Sequence, residues 1–298
     1  MNKNSDKSHY WLHDQVTDIT FMSLYQKKGA SNHSIVNRLY LNVPDTIQKE
    51  LFAIAKSDHA IFLIMLTVMS YVLYYHTTYN DFIVCVPALK GDKKHTLLPV
   101  RTIVDPSKSF KDIILGNKRA TEEAYAYTDD SIDDKLQLTY NKFLSNEITV
   151  SYKGIHNKIE VTYGNPSFLF YVSKENLKCA ITYDASVNKH VLTLLWRMMK
   201  DCLIQFLNQP EIKIYQLDEY FKNHGYESHK LRRAITTHTY RHMEVIVAEK
   251  INQILASNHN KIDELFYQRI TEELLQYVHN SIDLAVVLAK INEKLKGT

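Results

Sequence analysis

Apolar positions recur along this chain with two different periods, and the places where the period changes divide it into elements. Leu39, Leu41 and Val43 alternate with Arg38, Tyr40 and Asn42, the pattern of a strand with one buried face. Ile47, Leu51, Ile54 and Ala55 follow at helical spacing, and Asp45 with Gln48 three residues on predicts a capping box at that helix's start. The apolar stretch 59–75 predicts a helix buried in a large core. It contains Thr67 and Ser70 and is shorter than the ~18–20 apolar residues a bilayer crossing needs, so no membrane span is expected. Residues 81–89, DFIVCVPAL, read as a strand covered on both faces, and residues 91–94 break it. A second strand is predicted over 96–104. The Asp-Pro-Ser at 105–107 is expected to open a helix that turns Phe110, Ile113, Ile114 and Ala124 inward.

From 135 to 184 the pattern becomes one of short strands, the clearest placing Leu177, Cys179, Ile181 and Tyr183 on one face. A long amphipathic helix over 187–208 presents Val191, Leu194, Leu195, Met198, Cys202 and Phe206 as one stripe, and Pro210 ends it. These periods predict an α/β domain over 1–218 with a mixed sheet flanked by helices. Residues 219–241, rich in His, Lys, Arg and Tyr, read as a linker. Residues 242–298 read as a small all-α segment of three helices, marked by Val247, Ile251, Ile254 and Leu255, by 262–278, and by Leu284, Leu288, Ile291 and Leu295. There is no internal repeat.

Composition narrows the function classes. With 36 Lys and Arg against 33 Asp and Glu, the formal charge of +3 is too small to predict nucleic acid or an anionic membrane as partner. Cys85, Cys179 and Cys202 stand singly in apolar stretches, without a CxxC pair, which predicts buried thiols in a reducing, cytoplasmic setting. The first residues, MNKNSDKSHYW, have no apolar core and no small-residue cleavage site, so neither a signal peptide nor an anchor is expected.

Little in the chain predicts self-contained chemistry. A phosphate-cradling loop needs glycines close enough for backbone N–H groups to reach the anion, and among seven glycines neither GxGxxG nor GxxxxGK[ST] occurs, so no nucleotide is expected. No serine is flanked by glycines as in a nucleophile elbow. His238 and His242 would lie one helical turn apart, but without HExxH and in a polar connector they read as solvated, and no metal is expected.

Other residues carry a resemblance. HYW at 9–11, DFIVCVPAL with LPVR at 98–101, DPSKSFKDII at 105–114, and NLKCAITYDASVNKHVLTLLWRMMKDCLIQFLNQPEIKI at 176–214 resemble, in order and spacing, the C-terminal lobe of a nonribosomal peptide synthetase condensation domain. That resemblance implies a single lobe of the chloramphenicol-acetyltransferase-like fold. The family's catalytic histidine lies in a HHxxxDG motif of the other lobe, and neither that lobe nor that motif occurs in this sequence. Its IGxFVNTxxxR segment is shortened to GDKKHTLLPVR, with Thr96 in place of the asparagine and Arg101 as the motif's arginine. In the family that arginine supports the HHxxxDG loop; the alternative is a strand arginine in an ordinary ion pair. The HQDxPFE segment becomes YTDDSID at 127–133, keeping Asp129.

In the tail, HNSIDLAVVLAKINEKL at 279–295 resembles the segment around the modified serine of acyl and peptidyl carrier proteins, which implies 4′-phosphopantetheine on Ser281. Residues 262–266 resemble the loop before that helix. A serine at a helix start exposes its hydroxyl where the helix N-terminus favours a phosphodiester. It is also an ordinary N-cap, and His279 replaces the usual glycine.

The resemblance implies a component of a nonribosomal peptide or hybrid polyketide assembly line, non-catalytic by itself. Its expected partners are synthetase or polyketide synthase modules, carrier proteins and a condensation N-lobe chain, meeting an apolar surface where the other lobe would pack. The alternatives are half of a split acyltransferase whose histidine comes from a partner chain, and a helical adaptor without thioester chemistry.

Overall fold

A computed structural model describes residues 20–23, 36–77, 79–91, 97–126, 148–158, 166–185, 187–226 and 236–239. All but Thr239 belong to one of the chain's two units, Thr20–His238; the other comprises Met1–Ile19 and Thr239–Thr298. The described elements are β1 (Thr20–Ser23), β2 (Val36–Asn42), α1 (Asp45–Ile54), α2 (Asp58–Thr77), β3 (Asp81–Pro87), β4 (Leu97–Ile103) and α3 (Phe110–Ala126). They continue with β5 (Thr149–Tyr152), β6 (Ser167–Ser173), β7 (Asn176–Asp184), α4 (Lys189–Asn208), α5 (Ile214–Asn223) and β8 (Thr236–Thr239).

The strands form one mixed sheet in the order β2-β7-β6-β5-β3-β1-β8, with β4 paired to β3. β2 and β6 flank β7 antiparallel, and β5 runs parallel to β6. β3 pairs antiparallel with β4 along its length, and parallel with β1 at Phe82 and Ile83 and with β5 at Cys85.

The register gives the sheet two unlike faces. Leu39, Leu41, Cys179, Ile181, Phe168, Phe170, Val150 and Tyr152 are matched across four strands on one face. The helices cover it: α1 packs on β7, α2 on β5, and α2 touches both α3 and α4. Trp196 of α4 stacks on Phe170. Arg38, Tyr40, Ala180, Thr182, Ser167, Leu169, Thr149 and Ser151 share the other face. The expected mixed α/β lobe is therefore present, and the face chosen by each strand follows from its period of two.

α2 is the core of the helical layer. It is long and apolar enough to cross a membrane by composition, yet most of it is buried among the sheet and the neighbouring helices, as the sequence predicts for a core helix. Its buried hydroxyls bond inward, Thr67 and Ser70 donating to Leu63 O and Leu66 O, both at 2.8 Å.

Three local expectations are corrected. Asp45 and Gln48 form no capping box; the N-cap of α1 is Pro44 without a side-chain bond. The Gln48 amide is buried and instead spans to the β6–β7 hairpin, donating to Glu175 O and accepting from Leu177 N–H. Second, α3 starts at Phe110, after the Asp-Pro-Ser. Asp105 spends its carboxylate on Ser107 N–H and Oγ, both at 2.8 Å, so the chain turns there. Ser109 then caps the helix, its Oγ accepting from Asp112 N–H at 3.1 Å while the Asp112 carboxylate accepts from Ser109 N–H at 2.9 Å. Third, residues 219–223, read as connector, complete α5, and 236–239 form β8.

Ile214, Leu217 and Phe221 make the buried stripe of α5, and Gly225, with φ of 75°, ends it by letting Tyr226 N–H return to Phe221 O at 3.0 Å. The start of α5 is tied to that of α3 through Phe110 N–H to Ile212 O and Ile214 N–H to Lys108 O.

Candidate functional site

The expected site residue with a described position is Arg101; Asp129 and Ser281 lie outside the described residues, as does Thr96. β4 carries Arg101 opposite Ile83, and Asp81 opens β3 opposite Ile103, which sets Arg101 and Asp81 on a cross-strand diagonal. The pair is bidentate: Nε donates to Oδ1 at 2.9 Å and Nη2 to Oδ2 at 2.6 Å. Each side chain is about one-third exposed, at 32% and 36%. The hydrogen bonding and charge of Asp81 hold the guanidinium more firmly protonated than usual. The fork geometry fixes the guanidinium against Asp81. Ile103 and Tyr79 expose their side chains at the same end of the ladder.

β4 is also an outer strand among the described residues. Cys85 sends its N–H to Ile148 O at 3.0 Å, so Pro99, its partner across the ladder, directs its nitrogen away from β3. The missing N–H of proline therefore costs no bond within the sheet.

A second constellation was not singled out by the sequence. His156 is buried, with Nδ1 accepting from Tyr152 N–H at 2.9 Å and Nε2 lying 2.7 Å from the Tyr125 hydroxyl. Because Nδ1 accepts, the neutral ring carries its proton on Nε2 and donates it to Tyr125. Burial, with His59 adding to it, pushes the imidazole pKa down to about 3. The Phe62 ring stands edge-on to His156 at 4.5 Å, and Tyr152 donates to Asp58 at 3.2 Å. With both nitrogens engaged, His156 has no lone pair free to serve as a general base. Its work is structural: it closes the turn after β5, which is bound to the end of β3 by Lys90 N–H to Ile155 O at 2.8 Å and Asn157 N–H to Ala88 O at 3.0 Å.

A third cluster fastens α5 to α2. Asp218 accepts from Tyr71 at 2.9 Å and Tyr74 at 3.1 Å, and burial raises its pKa although both hydrogen bonds oppose the rise. Beyond it, Tyr226 packs edge-on to Phe221, lies under Arg197 and donates to Asp201.

Among the described residues, no group of three or more His, Cys, Asp or Glu could hold a metal ion. The three cysteines are buried, and burial pushes the Cys179 and Cys202 thiols up, away from reactivity. His238 lies in β8, so the helical spacing imagined for His238 and His242 does not hold, and His242 is outside the described residues. Exposed large apolar side chains occur mainly along or beside strands, at Val36, Tyr40, Tyr79, Ile103 and Val172, while Thr149, Ser151, Ser167 and Ala180, on the second face of β5 to β7, are small and buried.

No protein-family model and no curated protein sequence matches the chain. Its backbone, however, is similar to those of condensation-type domains. SgcC5 from Streptomyces globisporus superposes with a TM-score of 0.55 at 12% identity, over 72% of this chain and 57% of that one. The X-domain from teicoplanin biosynthesis, solved in complex with OxyB, gives 0.55 at 13% identity, over 72% and 55%. The first condensation domain of the calcium-dependent antibiotic synthetase gives 0.53 at 16% identity, over 72% and 54%. This chain thus spans a little over half the length of the structures it resembles, and its fold is that of a condensation-domain lobe.

Proposed function

We propose that this chain is a component of a nonribosomal peptide or hybrid polyketide assembly line that acts by binding partner proteins, without catalysing a reaction alone. The observation that supports the reading best is the combination of a condensation-type lobe over 72% of the chain with a sequence that lacks HHxxxDG. The neighbours' names associate that fold with antibiotic and polyketide biosynthesis, and one of them, the teicoplanin X-domain, was solved with a partner protein, OxyB. The partners we propose for this chain are synthetase or polyketide synthase modules and their carrier proteins, in the cytoplasm. The Arg101–Asp81 pair would mark the wall that faces a condensation N-lobe supplied by another chain.

The tail would add a carrier-like function. On this reading the Ser281 hydroxyl attacks the pyrophosphate of coenzyme A, forming a phosphodiester to 4′-phosphopantetheine and releasing adenosine 3′,5′-bisphosphate. Incubation of the full chain with coenzyme A and a promiscuous phosphopantetheinyl transferase, read by intact mass, tests this. The expected result is one adduct on the wild type and none on Ser281→Ala. An unmodified wild type refutes the carrier function, and an adduct retained by Ser281→Ala misplaces it.

The binding reading is tested separately. Pull-down with the full chain should retain a carrier protein or a chain containing HHxxxDG. Amide formation from two thioester-loaded carriers by this chain alone would overturn it, whereas amide formation only after a HHxxxDG chain is added would establish the split-enzyme alternative.

A further inference from the structure

β2 closes one end of the sheet order among the described residues. In the order of the sheet β2 is a terminal strand, bonded only to β7 among the described residues. Val43 donates its N–H to Leu177 O at 3.0 Å, one step beyond the pair Asn42–Lys178. Alternation along an antiparallel ladder therefore turns the backbone groups of Asn37, Leu39 and Leu41 toward β7, and those of Val36, Arg38, Tyr40 and Asn42 outward.

Natural sheets blunt such edges with lysine, proline or a bulge. β4 does so with Pro99. β2, VNRLYLN, carries one exposed charge, Arg38, but no lysine, proline or bulge within it, its pairing to β7 is continuous over seven residues, and it exposes Tyr40 at 63% and Val36 at 40%. Tyr40 stands opposite the small Ala180, so its ring has no large side chain directly across from it on β7.

We propose that β2 is a homodimer interface, in which two copies join their sheets edge to edge about a two-fold axis at Leu39. The sequence selects one register. Antiparallel pairing centred on Leu39 sets Arg38 opposite Tyr40 of the second copy, twice, and Val36 opposite Asn42, twice, with all seven residues overlapping. These even-numbered residues are the ones whose N–H and C=O groups point outward, so backbone bonds form where the register needs them. Each guanidinium then lies against an exposed tyrosine ring, a favourable cation–π contact. A shift of two residues one way puts Arg38 opposite Arg38, a like-charge pair at the axis. The opposite shift sets Tyr40 opposite Tyr40, and either shift shortens the overlap to five residues and loses both arginine–tyrosine pairs. A two-fold interface must be self-complementary, and of these registers the one centred on Leu39 alone combines full overlap with both arginine–tyrosine pairs. The inference is independent of the assembly-line reading.

Sedimentation velocity on the full chain, from about 1 to 100 µM, tests it. The wild type should show a concentration-dependent dimer. Tyr40→Lys places lysine opposite arginine on both sides of the axis and should weaken association by roughly ten- to thirty-fold. Arg38→Glu combined with Tyr40→Lys places glutamate opposite lysine and should restore the dimer. Both side chains are exposed, and circular dichroism checks that each variant is folded. A wild type that stays monomeric throughout, a Tyr40→Lys variant that dimerises as the wild type does, or a double variant that does not recover would each overturn the proposal.

Discussion

Thr102 and Thr67 are both fully buried threonines, and opposite outcomes are expected when each is replaced by valine. The Thr102 hydroxyl has no hydrogen-bond partner among the described residues, so the fold bears its desolvation without compensation. Thr102→Val keeps the shape and removes that cost, and should raise unfolding stability by about 1 kcal/mol. The Thr67 hydroxyl donates to Leu63 O and accepts from the Asn117 amide at 2.9 Å. Thr67→Val strands that buried amide and should lower stability by about 1–3 kcal/mol. Urea unfolding of both variants beside the wild type checks the pair, and a common sign would show that the polar contacts do not control these sites. Neither threonine's behaviour was legible in the sequence, because both sit in apolar runs and differ only in what a distant element presents to them. The same holds for Arg101: its own position stood out, while its partner Asp81 emerges only once the register of β3 against β4 is known.

Among the elements, periodicity carried the reading furthest where one face is buried by large side chains. α2, α4 and β7 stand close to where Leu, Ile, Phe and Cys spacing puts them, and β2 shows the alternation of Leu39 and Leu41 with Arg38 and Tyr40. Termini were read less well, because a cap is a competition among nearby polar groups: Asp105 was claimed by Ser107, and Gln48 by a hairpin 127 residues away in sequence. α5 escaped notice because three apolar residues in a polar context suffice when Tyr71 and Tyr75 supply the other side of the contact. The β6–β7 hairpin turns on Lys174 and Glu175, both with positive φ, 51° and 65°. This is the conformation of a type I′ turn, in which Asn-Gly is strongly preferred. Their side chains are exposed, and of Glu175 only the backbone carbonyl is bonded by Gln48. Lys174→Asn with Glu175→Gly should relieve the strain and raise the melting temperature, by about 1–2 kcal/mol of stability. Gln48→Ala should lower it, since Leu177 N–H then loses its acceptor inside the core.

Across the whole molecule, two titrating groups, one buried and one partly buried, act on acid stability with opposite signs. The folded pKa of His156, about 3, lies below the ~6.5 of an unfolded histidine, so the unfolded chain binds a proton more readily. Stability from this group is fully present above pH ~6.5 and is lost as pH falls toward 3. By linkage the loss is about 2 kcal/mol at pH 5, from a total on the order of 5. Asp218 runs the other way, because burial raises its folded pKa above that of an ordinary aspartate: the stability it contributes is present at the lowest pH and is lost as pH rises through its folded value. The histidine shift is the larger of the two, so it governs the weakly acidic range. The melting temperature of the full chain should therefore climb between pH 4 and 7 and then level. His156→Asn, whose side-chain oxygen can still accept from Tyr152 N–H, should start lower at neutral pH and show a much flatter profile between pH 4 and 7. Scanning calorimetry of both proteins over that range decides the matter. Parallel profiles would mean that some group other than His156 controls acid unfolding, and the turn joining β5 to the end of β3 would then lose its place as the acid-sensitive joint of the fold.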